Sequence, residues 1–247
     1  MKYAIIGGTG FESGIDGDKR LLSNEYGEAL AVESENFVFL SRHGENHGTP
    51  PHKINYRANI LALKDLGVKF VISTSAVGSM NENFCPSELV LLKDFLDFTK
   101  GREETFFEEK VSHVKMDEPY CPNLNKLLES EFIERNMPYK GRAVYAATNG
   151  PRFETAAEIS FYKKIGADVV GMTNVPEVSL AKELGLCYAS VGIITNWATG
   201  FGAPTNISEI NDSLKRIKED LLKVFLNIFK REISDEECQC KNSLIIM

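Results

Sequence analysis

The segment spanning residues 171–200, GMTNVPEVSLAKELGLCYASVGIITNWATG, limits the possible folds more than any other. It reads as a small polar loop, an amphipathic helix, a buried strand, and a polar residue, Asn196, at the strand's C-terminal tip. Residues 188–195 are apolar and rich in Val and Ile, which suits a strand covered on both faces. A chain built of such units buries a sheet between layers of helices. In folds of that kind ligands gather beyond the strand ends, so Asn196 is well placed to read one. Its side chain offers both an amide donor and a carbonyl acceptor, and so distinguishes heterocycle edges that a carboxylate does not.

The same unit recurs along the chain. Strands are predicted at residues 2–6, 69–73, 89–92, 142–148 and 168–172, with a hairpin over 30–41 turning around Asn36. Helices are predicted at 55–66, ending at Gly67; at 123–136; at 155–165, opened by Thr155 and closed near Gly166; and at 176–184, ending at Gly185. A long amphipathic helix covers 207–229. With no internal repeat and no Pro- or Gly/Ser-rich linker, residues 1–247 are expected to form a single α/β domain. The expected architecture is a three-layer α/β/α sandwich around a mixed sheet, with a tail at about 232–247. Small polar loops follow four of the strands, at residues 7–10, 42–47, 74–79 and 172–174, and can converge on one pocket.

Bulk properties exclude some partners. A net charge of −7 argues against a nucleic-acid binder held by a basic surface. It leaves room for small anions, because local Arg, His and N–H groups reverse the field inside a pocket. No apolar run approaches about 18 residues, so no membrane span is expected. The N-terminal MKYAIIGGTG reads as a first strand rather than a leader, which makes a cytoplasmic protein the expectation. The five cysteines form no disulfide framework. Cys85, Cys121 and Cys187 lie in or beside apolar segments and read as buried or half-buried thiols. Cys238 and Cys240 form a CQC pair in the tail, which has no His to complete a metal site, and are expected in solvent.

The loops carry the chemistry. Gly7-Gly8-Thr9-Gly10 offers backbone N–H groups and a hydroxyl, either as a tight turn or as an anion loop. It lacks both a Walker ending and the full G-x-G-x-x-G pattern. Arg42 and His43 supply a forked cation and a titratable imidazole. Ser75, Ala76 and Thr173 add hydroxyls and N–H groups. His47 follows His43 at a metal-binding helical spacing, but Gly44 and Gly48 disfavour a helix there, so no metal is expected. In Asn149-Gly150-Pro151-Arg152-Phe153-Glu154-Thr155, Phe153 offers an aromatic face. Glu154 is either a carboxylate favoured by the following helix dipole or an acceptor for ligand N–H groups.

IIGGTG (5–10), SRHGENH (41–47), NYRANI (55–60), STSAVGS (73–79), NGPRFETAAE (149–158) and GADVVGMTNVPEVSLAKELGLCYAS (166–190) occur in order. On these the chain resembles the trimeric purine nucleoside and methylthioadenosine phosphorylases, most closely the latter, from Tyr3 to about Phe225. The resemblance implies reversible phosphorolysis, in which phosphate attacks C1′ of a nucleoside and releases the purine and an α-pentose 1-phosphate with inversion. It implies no metal or organic cofactor, with phosphate as co-substrate, and an oxocarbenium-like transition state. By position, Thr9, Arg42, His43, Ser75, Ala76 and Thr173 would bind phosphate and Met172 the ribose. Asn196 would meet the purine at N7 and the C6 substituent, acting with His43 in catalysis. Phe153, Glu154, Trp197 and Ala198 would shape the base pocket.

The chain departs from the methylthioadenosine branch where the base is read. That branch carries an Asp-x-Asp pair at the positions of Asn196 and Ala198, and commonly Ser at that of Glu154. Asn suits O6 or N7 of a 6-oxopurine, and Glu154 matches the acceptor for N1–H, so inosine and guanosine are the expected substrates. Glu209 and Asp212 fall where apolar residues pack on a 5′-methylthio group, which favours a 5′-hydroxyl. A register shift would bring in Ile207 or Ile210 and point to 5′-methylthioinosine instead. A methylthioadenosine phosphorylase and a noncatalytic nucleoside-binding protein are further alternatives. The resemblance also implies a trimer or a dimer of trimers, with Phe106, Phe107, His113 and Pro119 as candidates at the interface.

Overall fold

The computed structural model describes residues 3–9, 11, 15–45, 48–202, 207–236 and 238–247, with side chains at 207–214 and 216 left undescribed. Its strands are β1 (Tyr3–Gly7), β2 (Asp18–Asn24), β3 (Gly27–Glu33), β4 (Val38–Ser41), β5 (Phe70–Ser79), β6 (Leu89–Asp97), β7 (Ser112–Val114), β8 (Tyr139–Ala147), β9 (Val169–Gly171), β10 (Cys187–Trp197) and β11 (Leu244–Ile246). Its α-helices are α1 (Tyr56–Asp65), α2 (Pro122–Glu134), α3 (Ala156–Lys164), α4 (Glu177–Glu183) and α5 (Ile207–Phe229).

Local chemistry sets several of these boundaries. The Asn55 side chain accepts the Ala58 N–H at 3.0 Å and starts α1. Thr155 and Glu158 exchange side-chain and backbone bonds in a capping box that starts α3. Nine strands form one mixed sheet in the order β10-β6-β8-β9-β5-β1-β4-β3-β2. Because β10 also pairs in parallel with β5, strands β5, β10, β6, β8 and β9 close into a ring, from which β1, β4, β3 and β2 extend as an open wing. The expected α/β class and mixed sheet are therefore present, with one end of the sheet rolled up rather than flat.

Helices pack against both faces. Tyr56, Ile60 and Leu63 of α1 and Val178, Leu180 and Ala181 of α4 share one apolar cluster with the sheet. Leu124, Leu128 and Phe132 of α2 and Leu221, Val224 and Phe225 of α5 share another. Ile159 and Tyr162 of α3 pack with Met80, Val170 and Ala198 in a third. No helix among the described residues is long and apolar enough to cross a membrane.

Several expectations change. Residues 74–79, read as a loop, continue β5, because pairing with β10 satisfies their backbone groups. Strand β10 likewise runs on to Trp197, with an irregularity between Ile194 and Asn196, so Asn196 lies within its last residues. The edge strand β2, mostly exposed and polar, has no apolar alternation to announce it. Cys85 is exposed rather than buried. The tail folds back: β11 pairs antiparallel with β7, and Cys238 and Cys240, expected in solvent, are buried. Gly10 and His47 lie outside the described residues, as do the side chains of Ile207, Glu209, Ile210 and Asp212.

Candidate active site

A cavity of about 300 Å³ opens where β1, β4 and β10 end and beside the second half of β5. Thr9, Arg42, His43, Ala76, Phe153, Glu154, Met172, Thr173, Asn196 and Ala198 line it, so six separate segments meet there. Ser75 and Trp197 are not in its wall. Alternation along a strand explains both, since neighbouring side chains point to opposite faces. The buried Ser75 hydroxyl instead accepts from Asn174 Nδ2 at 3.3 Å. The Trp197 ring packs at a tilt against Phe201, with centroids 5.6 Å apart, while its carbonyl accepts from Asn196 Nδ2 at 2.8 Å.

The end of the cavity lined by Thr9, Arg42 and His43 rests on a buried ion pair. Arg42 and Glu177 are fully buried and joined twice, Nε to Oε2 at 2.6 Å and Nη2 to Oε1 at 2.7 Å. Nη2 also donates to Ser73 Oγ at 2.7 Å, and Nη1 to the Thr74 carbonyl at 2.8 Å. Burial works against the guanidinium charge, but Glu177 outweighs it and holds Arg42 above the ordinary arginine value. The fork expected to face an anion thus grips a carboxylate, because a buried cation needs a counter-charge. Gly8 sits directly on this pair: a Cβ there would lie 2.6 Å from Arg42 Nη1 and 2.9 Å from the Thr74 carbonyl. Its N–H donates to Thr74 Oγ1 at 3.3 Å. The glycine loop therefore lies close enough to the arginine that no side chain fits between.

His43 is 3% exposed, and its Nδ1 lies 2.8 Å from the Thr49 carbonyl. A carbonyl only accepts, so Nδ1 carries the proton. Beneath Thr173 a buried polar network fixes the loop. Asn174 Nδ2 donates to Ser190 Oγ at 2.8 Å and its Oδ1 accepts from Tyr120 at 2.6 Å. Tyr188 donates to Glu177 Oε1 at 2.6 Å. The Tyr145 hydroxyl accepts the Thr173 and Asn174 N–H groups at 3.1 and 3.4 Å, and burial pushes its phenol up to about 12.

At the other end Asn196 is oriented by its neighbours. Its Oδ1 accepts from Thr195 Oγ1 at 2.8 Å, and Gly78 packs against its amide. Glu154, 7% exposed, accepts from Thr148 Oγ1 at 2.6 Å. Gly150, at φ 63, turns tightly enough that a Cβ would lie 2.5 Å from the Met172 sulfur, which joins this loop to the one after β9. Arg102 ties the walls together, with Nη2 on the carbonyls of Met172 (2.8 Å), Asn149 (3.1 Å) and Thr148 (3.3 Å), and Nη1 on that of Val175. Phe153 is 54% exposed at the cavity mouth.

Sequence reasoning missed Glu177, Asn174, Tyr145, Thr148 and Arg102. Glu177 opens α4, where a carboxylate is ordinary, so an isolated Arg in the irregular stretch after β6 was the only local signal.

The arrangement joins an anion-type end, rich in N–H groups, hydroxyls and one imidazole, to a heterocycle-type end with an amide and a carboxylate. The profile of the Phosphorylase superfamily matches residues 2–230. A probable S-methyl-5'-thioinosine phosphorylase of Methanocaldococcus jannaschii is 47% identical, over 97% of this chain and 96% of its own. A 6-oxopurine nucleoside phosphorylase of Pyrococcus furiosus is 43% identical, over 98% and 97%. Among solved structures, the methylthioadenosine phosphorylase of Schistosoma mansoni in complex with tubercidin superposes with a TM-score of 0.86 at 33% identity, over 94% of this chain and 92% of that one.

Proposed function

The chain belongs to the phosphorylase superfamily, and from that premise we propose that it is a purine nucleoside phosphorylase acting on 6-oxopurine nucleosides. Phosphate attacks C1′ as the glycosidic bond breaks, giving free base and α-D-ribose 1-phosphate. The observation that carries the choice of base is Asn196, with Ala198 and the buried Glu154, in one cavity wall. An amide donates to O6 or N7, which an ionised Asp pair would repel, and Glu154 accepts N1–H, which adenine lacks.

The remaining roles follow from the geometry. His43, with its Nδ1 proton held by the Thr49 carbonyl, lines the phosphate end beside Thr9, Thr173 and the Ala76 segment. Arg42, neutralised as a pair by Glu177, acts as a positioned donor and as the floor of the Gly8 loop rather than as a net charge. Phosphate therefore keeps its negative charge beside the developing oxocarbenium ion, while Asn196 stabilises charge on the departing base. Met172 lies against the sugar. These roles require neither a metal nor an organic cofactor.

The second reading, S-methyl-5'-thioinosine phosphorylase, shares the 6-oxopurine base and differs only at C5′. It is favoured by the relative from Methanocaldococcus jannaschii. The test is cleavage of inosine, 5′-methylthioinosine and methylthioadenosine, each with and without phosphate. Phosphate-dependent cleavage of inosine, with methylthioadenosine far slower, is expected. Faster cleavage of methylthioadenosine than of either inosine compound would overturn the assignment of the base. Binding of hypoxanthine without any turnover would reduce the protein to a nucleoside binder.

The assembly is a homotrimer or a dimer of trimers, in which a neighbour covers the open 5′ side near Phe153. Sedimentation equilibrium of the purified chain tests this, and a monomeric mass with full activity would remove the need for a neighbour.

A further inference from the structure

Four cysteines with no place in the reaction meet at one point. Cys121 is the N-cap residue of α2, Cys187 opens β10, and Cys238 and Cys240 return to them from beyond α5. Each is at most 5% exposed. Their sulfurs all lie within 4.8 Å of one another, with Cys187 and Cys238 3.4 Å apart.

We propose that these four sulfurs form a tetrathiolate site for one thiophilic metal ion, Zn²⁺ by preference, which staples the C-terminal tail to the start of β10 and α2. With Zn–S bonds of about 2.3 Å, a tetrahedral site spaces its sulfurs about 3.8 Å apart. The observed spacing brackets that value, so small side-chain adjustments admit the ion. The mutual closeness of all four favours a shared centre. Two disulfides would require only two separate pairs, each with sulfurs about 2.05 Å apart. A donor set of four sulfurs selects zinc or a single iron over hard cations.

The surroundings fit a thiolate centre. Four thiolates around Zn²⁺ leave a double negative charge, and Lys182, 4% exposed, stands close enough to Cys240 to offset part of it. Loading exchanges the four thiol protons for the ion and changes no oxidation state. The tail is already anchored nearby, since Ser243 Oγ donates to the Lys182 carbonyl at 2.7 Å and Lys115 N–H to the Ser243 carbonyl at 2.9 Å. Cys187 and Asn196 lie at opposite ends of β10, on the order of 30 Å apart at strand rise. The site is therefore structural and independent of the substrate assignment.

The test is elemental analysis and intact mass of the full chain, purified anaerobically under reducing conditions and then dialysed against Zn²⁺. One zinc or one iron per chain is expected, and none in the variant Cys238→Ser with Cys240→Ser. Loading Co²⁺ into the unaltered chain should give thiolate-to-cobalt charge-transfer absorption, a readout that needs no variant to fold. The double variant, assayed where it is folded, should keep its nucleoside kcat/KM within about twofold, because the two sites are distant. Failure to bind Zn²⁺ or Co²⁺ stoichiometrically would overturn the proposal, whether the four thiols were then free or the chain were lighter by the hydrogens that two disulfides shed.

Discussion

Asn196 and Glu154 are held in place by hydrogen bonds within the chain, from Thr195 and to the Trp197 carbonyl for the one and from Thr148 for the other. Their discrimination therefore rests on preset orientation. Replacing Asn196→Asp together with Ala198→Asp should lower the inosine-to-adenosine ratio of kcat/KM by about a hundredfold or more. An unchanged ratio in steady-state assays would count against Asn196 as the reader of the base. Arg42 and Glu177 make a different kind of claim. Removing one partner of a fully buried pair strands the other, so Glu177→Gln should cost about 3–5 kcal/mol in urea unfolding. The Arg-His dipeptide was visible in the sequence as a place for an anion. Its counter-charge was not, because Glu177 comes from a helix 135 residues away and looks locally like an ordinary first-turn carboxylate.

Helix α3 delivers Glu154 to the pocket through its cap. Thr155→Ala removes the side-chain half of the capping box and should cost about 1 kcal/mol of stability. It should also raise the KM for nucleoside more than that for phosphate, since the loosened residue adjoins Glu154. Helices α2 and α5 are joined by Glu131, which accepts from Asn227 Nδ2 at 2.9 and 3.0 Å, from Arg135 Nε at 2.9 Å, and from Arg231. Burial opposes its charge, but Arg135, Asn227 and Arg231 outweigh burial and hold its carboxyl below the usual range. A lowered carboxylate stabilises the fold above its unfolded pKa, and the gain is lost as pH falls through the lowered value. Glu131→Gln should thus be less stable than the parent at pH 7, with the two unfolding curves converging below about pH 4. Helix ends were the most legible elements, because Asn55 and Thr155 act on their own next turns. Strand β2 and the second half of β5 were not legible, one lacking an apolar face and the other built from Ser, Thr and Gly whose pairing is remote.

Across the whole chain, the mixed sheet could be read from alternating strands and helices, but its closure could not. Ring formation depends on the partners that β9 takes and on β10 pairing along both edges; β9 was read as a strand at 168–172, but neither set of pairings leaves a mark on nearby sequence. The gathering of cysteines was hidden for the same reason, since 117 residues separate Cys121 from Cys238 and only the folded tail joins them. Strand β10 has one further effect. It is buried from Cys187 through Thr195 and paired on both sides, so its central amides belong to the class that exchange with solvent only when the whole molecule opens. Asn196, proposed to read the base, is continuous with that slowest-exchanging segment. On heating, loss of catalysis should coincide with loss of deuterium protection in β10 rather than precede it, and the enzyme should keep its choice of base up to the temperature at which it unfolds.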